Sequence, residues 1–324
     1  MRVIVGLLPI SSRQQQILIF FVPSSAIKKT DYQQFKPKIM EKEITKLFKA
    51  HQSGETSRRD FIRKLAIITG STATALTILP ILENNSLTAA EKTEKLAEVV
   101  SKMTTYPAAT GEMKAFEAMP KKGKKFPAVI VIHENRGLVP HIKEVTIRMA
   151  AEGFLALAPD ALSPVGGTPE DISNVGELFR QLKPEETTKN FVAAVKYLKT
   201  HPNSNGKVGC TGFCWGGAMT NQLAVNCENL DAAAPYYGSQ PKAEDVPKIK
   251  APILAHYAEN DERINAGIPV FEEALKKNNK IYQIFTYPGT GHAFNNDSNP
   301  ERYNAEQAKI AWKRTVDFFK ENLK

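Results

Sequence analysis

Three residues in this chain have the types, order and spacing that covalent acyl chemistry needs. Cys214 is the centre of Gly212-Phe213-Cys214-Trp215-Gly216, between a segment that reads as a strand and one that reads as a helix. Flanking glycines let a chain turn sharply enough to present the central side chain. A thiol at a helix N-terminus, beside a histidine, has its thiolate favoured by the dipole and by an imidazolium, so a strong nucleophile near neutral pH is expected. Asp261 lies in Ala258-Glu259-Asn260-Asp261-Glu262-Arg263, after a later strand. His292 lies in Gly289-Thr290-Gly291-His292-Ala293-Phe294, after the last one. An imidazole in this order takes the thiol proton and the carboxylate holds its tautomer. Glu259 and Glu262 are the neighbours that compete with Asp261 for that role. The plain alternative for Cys214 is an inert, buried thiol on a Gly-rich turn.

Around these residues stand several with weaker signals. His133-Glu134-Asn135-Arg136-Gly137-Leu138 closes the first buried strand, and the backbone N–H groups of Asn135 and Trp215 are the two candidate donors to a developing oxyanion. His133-Glu134 resembles a metal pair, yet no second histidine follows four residues on and Cys210 with Cys214 lacks zinc spacing, so no metal is expected. Arg136, His141 and Arg180 are candidate binders of an anionic substrate, with surface ion pairing as the plainer reading. Asp160 sits at a strand end and reads as a turn or cap residue. Cys210 and Cys227 read as packing residues, while Trp215 and Tyr236-Tyr237 either line a pocket or pack.

These residues need elements that bring them to one edge. Residues 127–132 form a short β-branched run of the kind buried on both faces of a parallel sheet, and residues 140–152 after it read as helix. Strands are expected at 112–119, 154–158, 207–211, 232–237, 253–257 and 282–287. Helices are expected at 171–182, 185–200, 214–226, 266–277 and 303–321, with a mixed segment before Gly111 and a Gly/Pro-rich loop at 163–169. Alternation of this kind predicts an α/β fold, a doubly wound, mostly parallel sheet with helices on both faces. In this setting Cys214, Asp261 and His292 follow the chain order of the α/β-hydrolase fold.

The formal charge of +9 would ordinarily raise nucleic acid as a partner. Its location argues otherwise: residues 1–90 carry 13 Lys and Arg against 6 Asp and Glu, and residues 91–324 carry 30 against 28. The larger part is nearly neutral, and no nucleic-acid footprint is expected. Arg58-Arg59 precede an uncharged run over 65–82 that contains Gly70, Ser71 and Pro80, and small residues follow at 88–90. This is the layout of a twin-arginine export signal, with an uncleaved membrane anchor as the alternative. It divides the chain into an N-terminal region, 1–90, and a single domain, 91–324, placed in the periplasm or outside the cell. A start at Met40 suits such a leader better than Met1, and residues 1–39 are expected to be an over-extended start or disordered. The apolar run at 17–22 is too short to span a bilayer. Three cysteines, an odd number, leave at least one thiol unpaired within the chain.

From about Tyr106 onward the chain resembles the dienelactone hydrolase family, the carboxymethylenebutenolidases, in a branch with twin-arginine leaders. The carriers are HENRGL (133–138), GFLALAPDALSPVGGTP (153–169), GFCWGG (212–217), AENDERIN (258–265), YPGTGHAF (287–294) and the tail from 302 to 319. The resemblance implies a Cys-His-Asp triad of Cys214, His292 and Asp261, with Glu134 contacting the resting thiol and giving way to substrate. It implies a cyclic enol ester with a carboxylate as substrate, gripped by two arginines, and no cofactor. One of those arginines follows the catalytic histidine by four positions, where this chain has Asn296. That departure, with an exported location, points to a broader hydrolase of small esters or lactones acting through a thioacyl-enzyme. The rival expectations are a non-catalytic ligand-binding protein on the same fold and a thiol redox role for Cys214.

Overall fold

The computed structural model describes residues 2–6, 18–22, 47, 50, 56, 58–69 and 98–324. The chain divides into two units, residues 1–92 and 93–324. In the first, β1 (Arg2–Gly6) pairs antiparallel with β2 (Leu18–Val22), Arg2 opposite Val22, within the 1–39 stretch read as an over-extended start or disordered. Both segments are rich in β-branched and aromatic residues, which favour pairing once two such runs meet. Helix α1 (Arg58–Thr69) starts at the arginine pair. Met40, the rest of the uncharged run from residue 70, the expected cleavage region at 88–90 and the boundary at 90/91 lie outside the described residues. Among the described residues no helix is long and apolar enough to cross a membrane.

The second unit is built on an eight-stranded sheet. Its strands are β3 (Val99–Ala108), β4 (Gly111–Pro120), β5 (Phe126–Ile132), β6 (Leu155–Pro159), β7 (Ser204–Phe213), β8 (Ala232–Tyr236), β9 (Ile253–Asn260) and β10 (Tyr282–Gly291). The spatial order is β10-β9-β8-β7-β5-β6-β4-β3. Six strands from β6 to β10 run parallel, and the β3–β4 hairpin closes one edge antiparallel to β6. Strand β3 corrects the expectation of a mixed segment before Gly111. As an edge strand it leaves most of its side chains in solvent, so its sequence shows no buried period.

Helices α2 (Pro140–Ala151), α3 (Val175–Gln181), α4 (Pro184–Thr200), α5 (Trp215–Asn226), α6 (Glu262–Asn265), α7 (Ile268–Lys277) and α8 (Ala305–Asn322) cover the two faces. Strand period decides which: Ile130 and Ile132 of β5 join the core of α4, α5 and α7, whereas Val129 and Val131 join that of α2 and α8. Helix α3 is shorter than expected because Asp171 Oδ1 accepts the Ser173 N–H and holds a turn where the helix was expected to begin. The helix expected at 266–277 is α7, which starts at Ile268 after Gly267, and the short α6 before it was not expected.

The sheet reverses its winding at β5. The chain leaves β5 through α2 to β6 on one side, then crosses to β7 on the other. Ligand sites in such sheets form beyond the carboxyl ends of the strands that flank this switch. Here those ends carry the 133–138 loop and Cys214.

Asp160, at the end of β6, holds the first of these loops in place. Its Oδ1 accepts from Leu162 N–H (3.1 Å) and Thr168 Oγ1 (2.8 Å), and its Oδ2 from Thr168 N–H (2.7 Å). Thr168 Oγ1 in turn accepts the Leu138 N–H at 2.8 Å. Gly137 passes so close, at φ +78°, that a Cβ there would lie 2.2 Å from Thr168 Oγ1. The cap reading of Asp160 is therefore the structural one. Asp160→Ala strands three donors in a buried place and is expected to cost about 3 kcal/mol, read as a lower urea midpoint with an unchanged slope.

Candidate active site

Cys214 sits between β7 and α5 at φ +56°, ψ −112°, a strained backbone for any residue with a side chain. The neighbours enforce it. A Cβ on Gly216 would lie 2.4 Å from Ile132 O, so α5 can start against the end of β5 only with glycine there. The Cys214 N–H donates to Tyr236 O on β8 and its carbonyl accepts from Ala218 N–H. The thiol is thus fixed at the tip of the turn and partly exposed.

His292 follows β10 directly, and its Nδ1 meets Asp261 Oδ2 at 2.5 Å. Asp261 follows β9, is largely buried, and its carbonyl starts α6 by accepting from Ile264 and Asn265 N–H. The two competing carboxylates are placed elsewhere: Glu259 Oε2 accepts the Gly289 N–H at 2.7 Å, and Glu262 is exposed. With Asp261 as acceptor, Nδ1 carries the hydrogen and Nε2 is left free to take a proton.

The candidate oxyanion donors follow the ends of two paired strands. Ile132 on β5 is in register with Gly212 on β7, and Asn135 and Trp215 each lie three residues further on. The Trp215 amide is the first of α5 and has no acceptor within the helix. The Trp215 ring stacks on His133 (5.4 Å between centroids, 10° between planes) and meets Phe179 of α3 edge-on at 5.1 Å. His133 is buried and its pKa is lowered by desolvation; its Nδ1 lies 2.6 Å from Glu134 O and its Nε2 accepts the Ala161 N–H. These partners assign the hydrogen to Nδ1 of a neutral ring, which positions the loop and ligates nothing.

The structure corrects the expected state of the thiol. Burial pushes the Cys214 pKa up, and the Glu134 charge pushes it further, with Asp261 a lesser influence in the same direction. The Trp215 amide and the Arg263 guanidinium oppose this without prevailing. With its pKa raised, the group rests as a thiol near neutral pH, because desolvation and the Glu134 charge outweigh the N-terminus of α5. Glu134 is held by Asn296 Nδ2, which donates to its Oε2 at 2.8 Å, while its Oε1 has no hydrogen-bond partner. The carboxylate therefore acts on the thiol through its charge, not through a hydrogen bond. Glu134→Gln removes that charge and is expected to speed iodoacetamide alkylation of Cys214 at pH 7.5 by roughly threefold to tenfold, its pH profile moving to lower pH.

Of the candidate substrate cations, Arg136 and Arg180 are exposed and His141 faces a carboxylate. Arg180 is on the exposed side of α3 with Glu177 Oε1 at 3.8 Å, and Arg136 is exposed on the turn after β5. His141 is buried on α2, with its Nδ1 3.0 Å from Asp297 Oδ1, and Arg148 closes the same carboxylate at 2.8 Å. The cation whose charge reaches Cys214 is Arg263, two residues after Asp261 on α6. Sequence reasoning passed over it, although the spacing Asp-x-Arg at the end of β9 was there to be read. Cys210 and Cys227 are buried, and burial pushes the Cys210 thiol up to about 12.

A doubly wound parallel sheet with a strained strand-to-helix turn at its switch point is the α/β-hydrolase fold. A known structure from Klebsiella pneumoniae, described as a dienelactone hydrolase, superposes with a TM-score of 0.64 at 28% identity, covering 69% of this chain and 99% of the other. The sequence profile described as "Dienelactone hydrolase family" matches residues 113–323. The chain belongs to the dienelactone hydrolase family. An Escherichia coli K12 protein named for carboxymethylenebutenolidase activity is 32% identical over 239 residues, 69% of this chain and 88% of that one. Protein usf of Aquifex pyrophilus is 37% identical over 221 residues, 65% and 94% of the two chains.

Proposed function

We propose that this chain hydrolyses small esters or lactones through a thioacyl-enzyme on Cys214, with His292 and Asp261 as its proton relay. The single observation that carries this reading is the Asp261–His292 pair at 2.5 Å, delivered by the ends of β9 and β10 to the edge where the turn presents the thiol. In the first half-reaction Cys214 sulfur attacks the carbonyl carbon as its proton passes to His292. The Asn135 and Trp215 amides hold the oxyanion, and the alcohol leaves with the proton from His292. In the second, water adds, the C–S bond breaks, and the proton returns to sulfur. A thiol that rests protonated suits such a role, since the reactive form then arises only when a substrate displaces water and rearranges the charges around it.

The substrate class follows from what surrounds the thiol. With Asn296 where the family pattern has an arginine, the site has one fewer cation for a carboxylate, and Arg263 is the cation whose charge acts on the thiol. This favours neutral or singly anionic esters over the dienelactone. The test is parallel hydrolysis of p-nitrophenyl acetate and a dienelactone by the full chain, with His292→Ala alongside. Activity on the simple ester that the substitution removes is the expected result; a folded chain that binds these esters and cleaves neither is a binding protein instead.

The leader completes the proposal: residues 1–90 direct export by the twin-arginine route and residues 91–324 form the enzyme, in the periplasm or beyond. Arg58→Lys with Arg59→Lys is expected to leave the uncut chain in the cytoplasmic fraction of a host with this route. An unchanged distribution between fractions counts against export.

A further inference from the structure

Two buried polar atoms beside Cys214 have no hydrogen-bond partner, Tyr237 Oη and Glu134 Oε1. The first is a donor on a side chain 1% exposed, and the second is an acceptor. Unpaired buried groups are rare because each forfeits its hydration with nothing in return. Neither can turn away to find a partner. Tyr237 is held at φ +36°, its N–H donates to His256 O, and its ring is boxed in by His292 at 5.1 Å and Phe294 at 5.6 Å. Glu134 is tied through its other oxygen to Asn296.

The preceding residue shows that the fold pairs a phenol where no ligand is due. Tyr236 Oη lies 2.6 Å from Thr315 Oγ1, which in turn meets His256 Nε2 at 2.9 Å, and His256 Nδ1 meets Tyr287 Oη at 2.8 Å. Tyr237 is excluded from that chain. One loop touches both orphans: His292 and Phe294 pack on the Tyr237 ring, and Asn296 two residues further on bonds Glu134. Burial raises the Tyr237 pKa, and the charges of Glu134 and Cys214 raise it further. A direct bond between Tyr237 and Glu134 would satisfy both orphans, and the structure does not make it. One group that both accepts and donates would satisfy them together.

We propose that Tyr237 Oη and Glu134 Oε1 form a clasp beside Cys214 that holds one hydroxyl group, donating to its oxygen and accepting its hydrogen. The proposal rests on the thioacyl reading above. Two sources offer that chemistry: the water that ends the cycle, or a hydroxyl on the acyl part of the substrate. With water, the clasp holds the molecule while its second hydrogen passes to His292, its oxygen bonds to the thioester carbon, the C–S bond breaks, and the proton moves from His292 to sulfur.

The experiment uses the full chain, Tyr237→Phe and Tyr236→Phe, with p-nitrophenyl acetate and p-nitrophenyl hydroxyacetate followed through burst and steady state. If water is held, Tyr237→Phe keeps the burst and slows turnover of both esters about tenfold. If a substrate hydroxyl is held, only the hydroxyacetate loses kcat/KM, by a similar factor. In either case Tyr237→Phe is as thermally stable as the native chain or more so, since an unpaired hydroxyl is removed, whereas Tyr236→Phe lowers the midpoint and keeps both rates. Unchanged kinetics on both esters, or a loss of stability equal to that of Tyr236→Phe, overturns the clasp. Absence of any acyl group on native Cys214 overturns the hydrolase reading instead, and the stability comparison then still decides the clasp.

Discussion

Cys214→Ala is expected to lower kcat/KM for p-nitrophenyl acetate by about four orders of magnitude while the chain stays folded. The account gives the thiol the only bond-forming role, so nothing else at the site can substitute for it. Alanine keeps the Cβ that the φ of +56° must tolerate, and the thiol is partly exposed, so little packing is lost. A change of a few degrees in the thermal midpoint is the expected ceiling. Cys214→Ser is the stricter variant. A hydroxyl at this position has the same shape but needs a stronger base, and its activity is expected to stay below roughly a thousandth of the native rate.

Asp261→Asn is expected to reduce kcat by about a thousandfold to ten-thousandfold with KM nearly unchanged. Asp261 Oδ2 accepts the His292 Nδ1 hydrogen at 2.5 Å, which leaves Nε2 unprotonated toward the thiol. An amide nitrogen at that place turns the histidine to the other tautomer, with the hydrogen on Nε2 and no capacity to take a proton. Helix α6 survives the change because it is the backbone carbonyl of Asp261 that accepts from Ile264 and Asn265. A loss of kcat without a loss of stability therefore separates the relay role from a structural one. Equal effects on both would assign Asp261 to the loop alone.

Much of the fold was legible because its signals are local. The run over 127–132 declares a strand buried on both faces, and β5 occupies Phe126–Ile132 at the centre of the sheet. Strand β3 was not legible, since an edge strand with exposed side chains has no hydrophobic period and is fixed only by its partner β4. At the site, the turn around Cys214 and the order of Asp261 and His292 could be read because each sits at a strand end. What could not be read depends on directions that only packing sets. Arg180 and Phe179 are neighbours in sequence, yet the phenyl ring meets Trp215 while the guanidinium points to solvent. The state of the thiol was misjudged for the same reason: a helix N-terminus is visible in sequence, while burial and the Glu134 charge are not. The unpaired hydroxyl of Tyr237 belongs to this second group.

The most direct test of the central claim is a mass measurement on the full chain, quenched in acid during steady-state turnover of p-nitrophenyl acetate and then digested. The account predicts one acetyl group on the peptide that contains Cys214, present during turnover and lost once substrate is exhausted. Turnover with no acetyl on that peptide, or an acetyl on Cys214 that persists without hydrolysis, would contradict it.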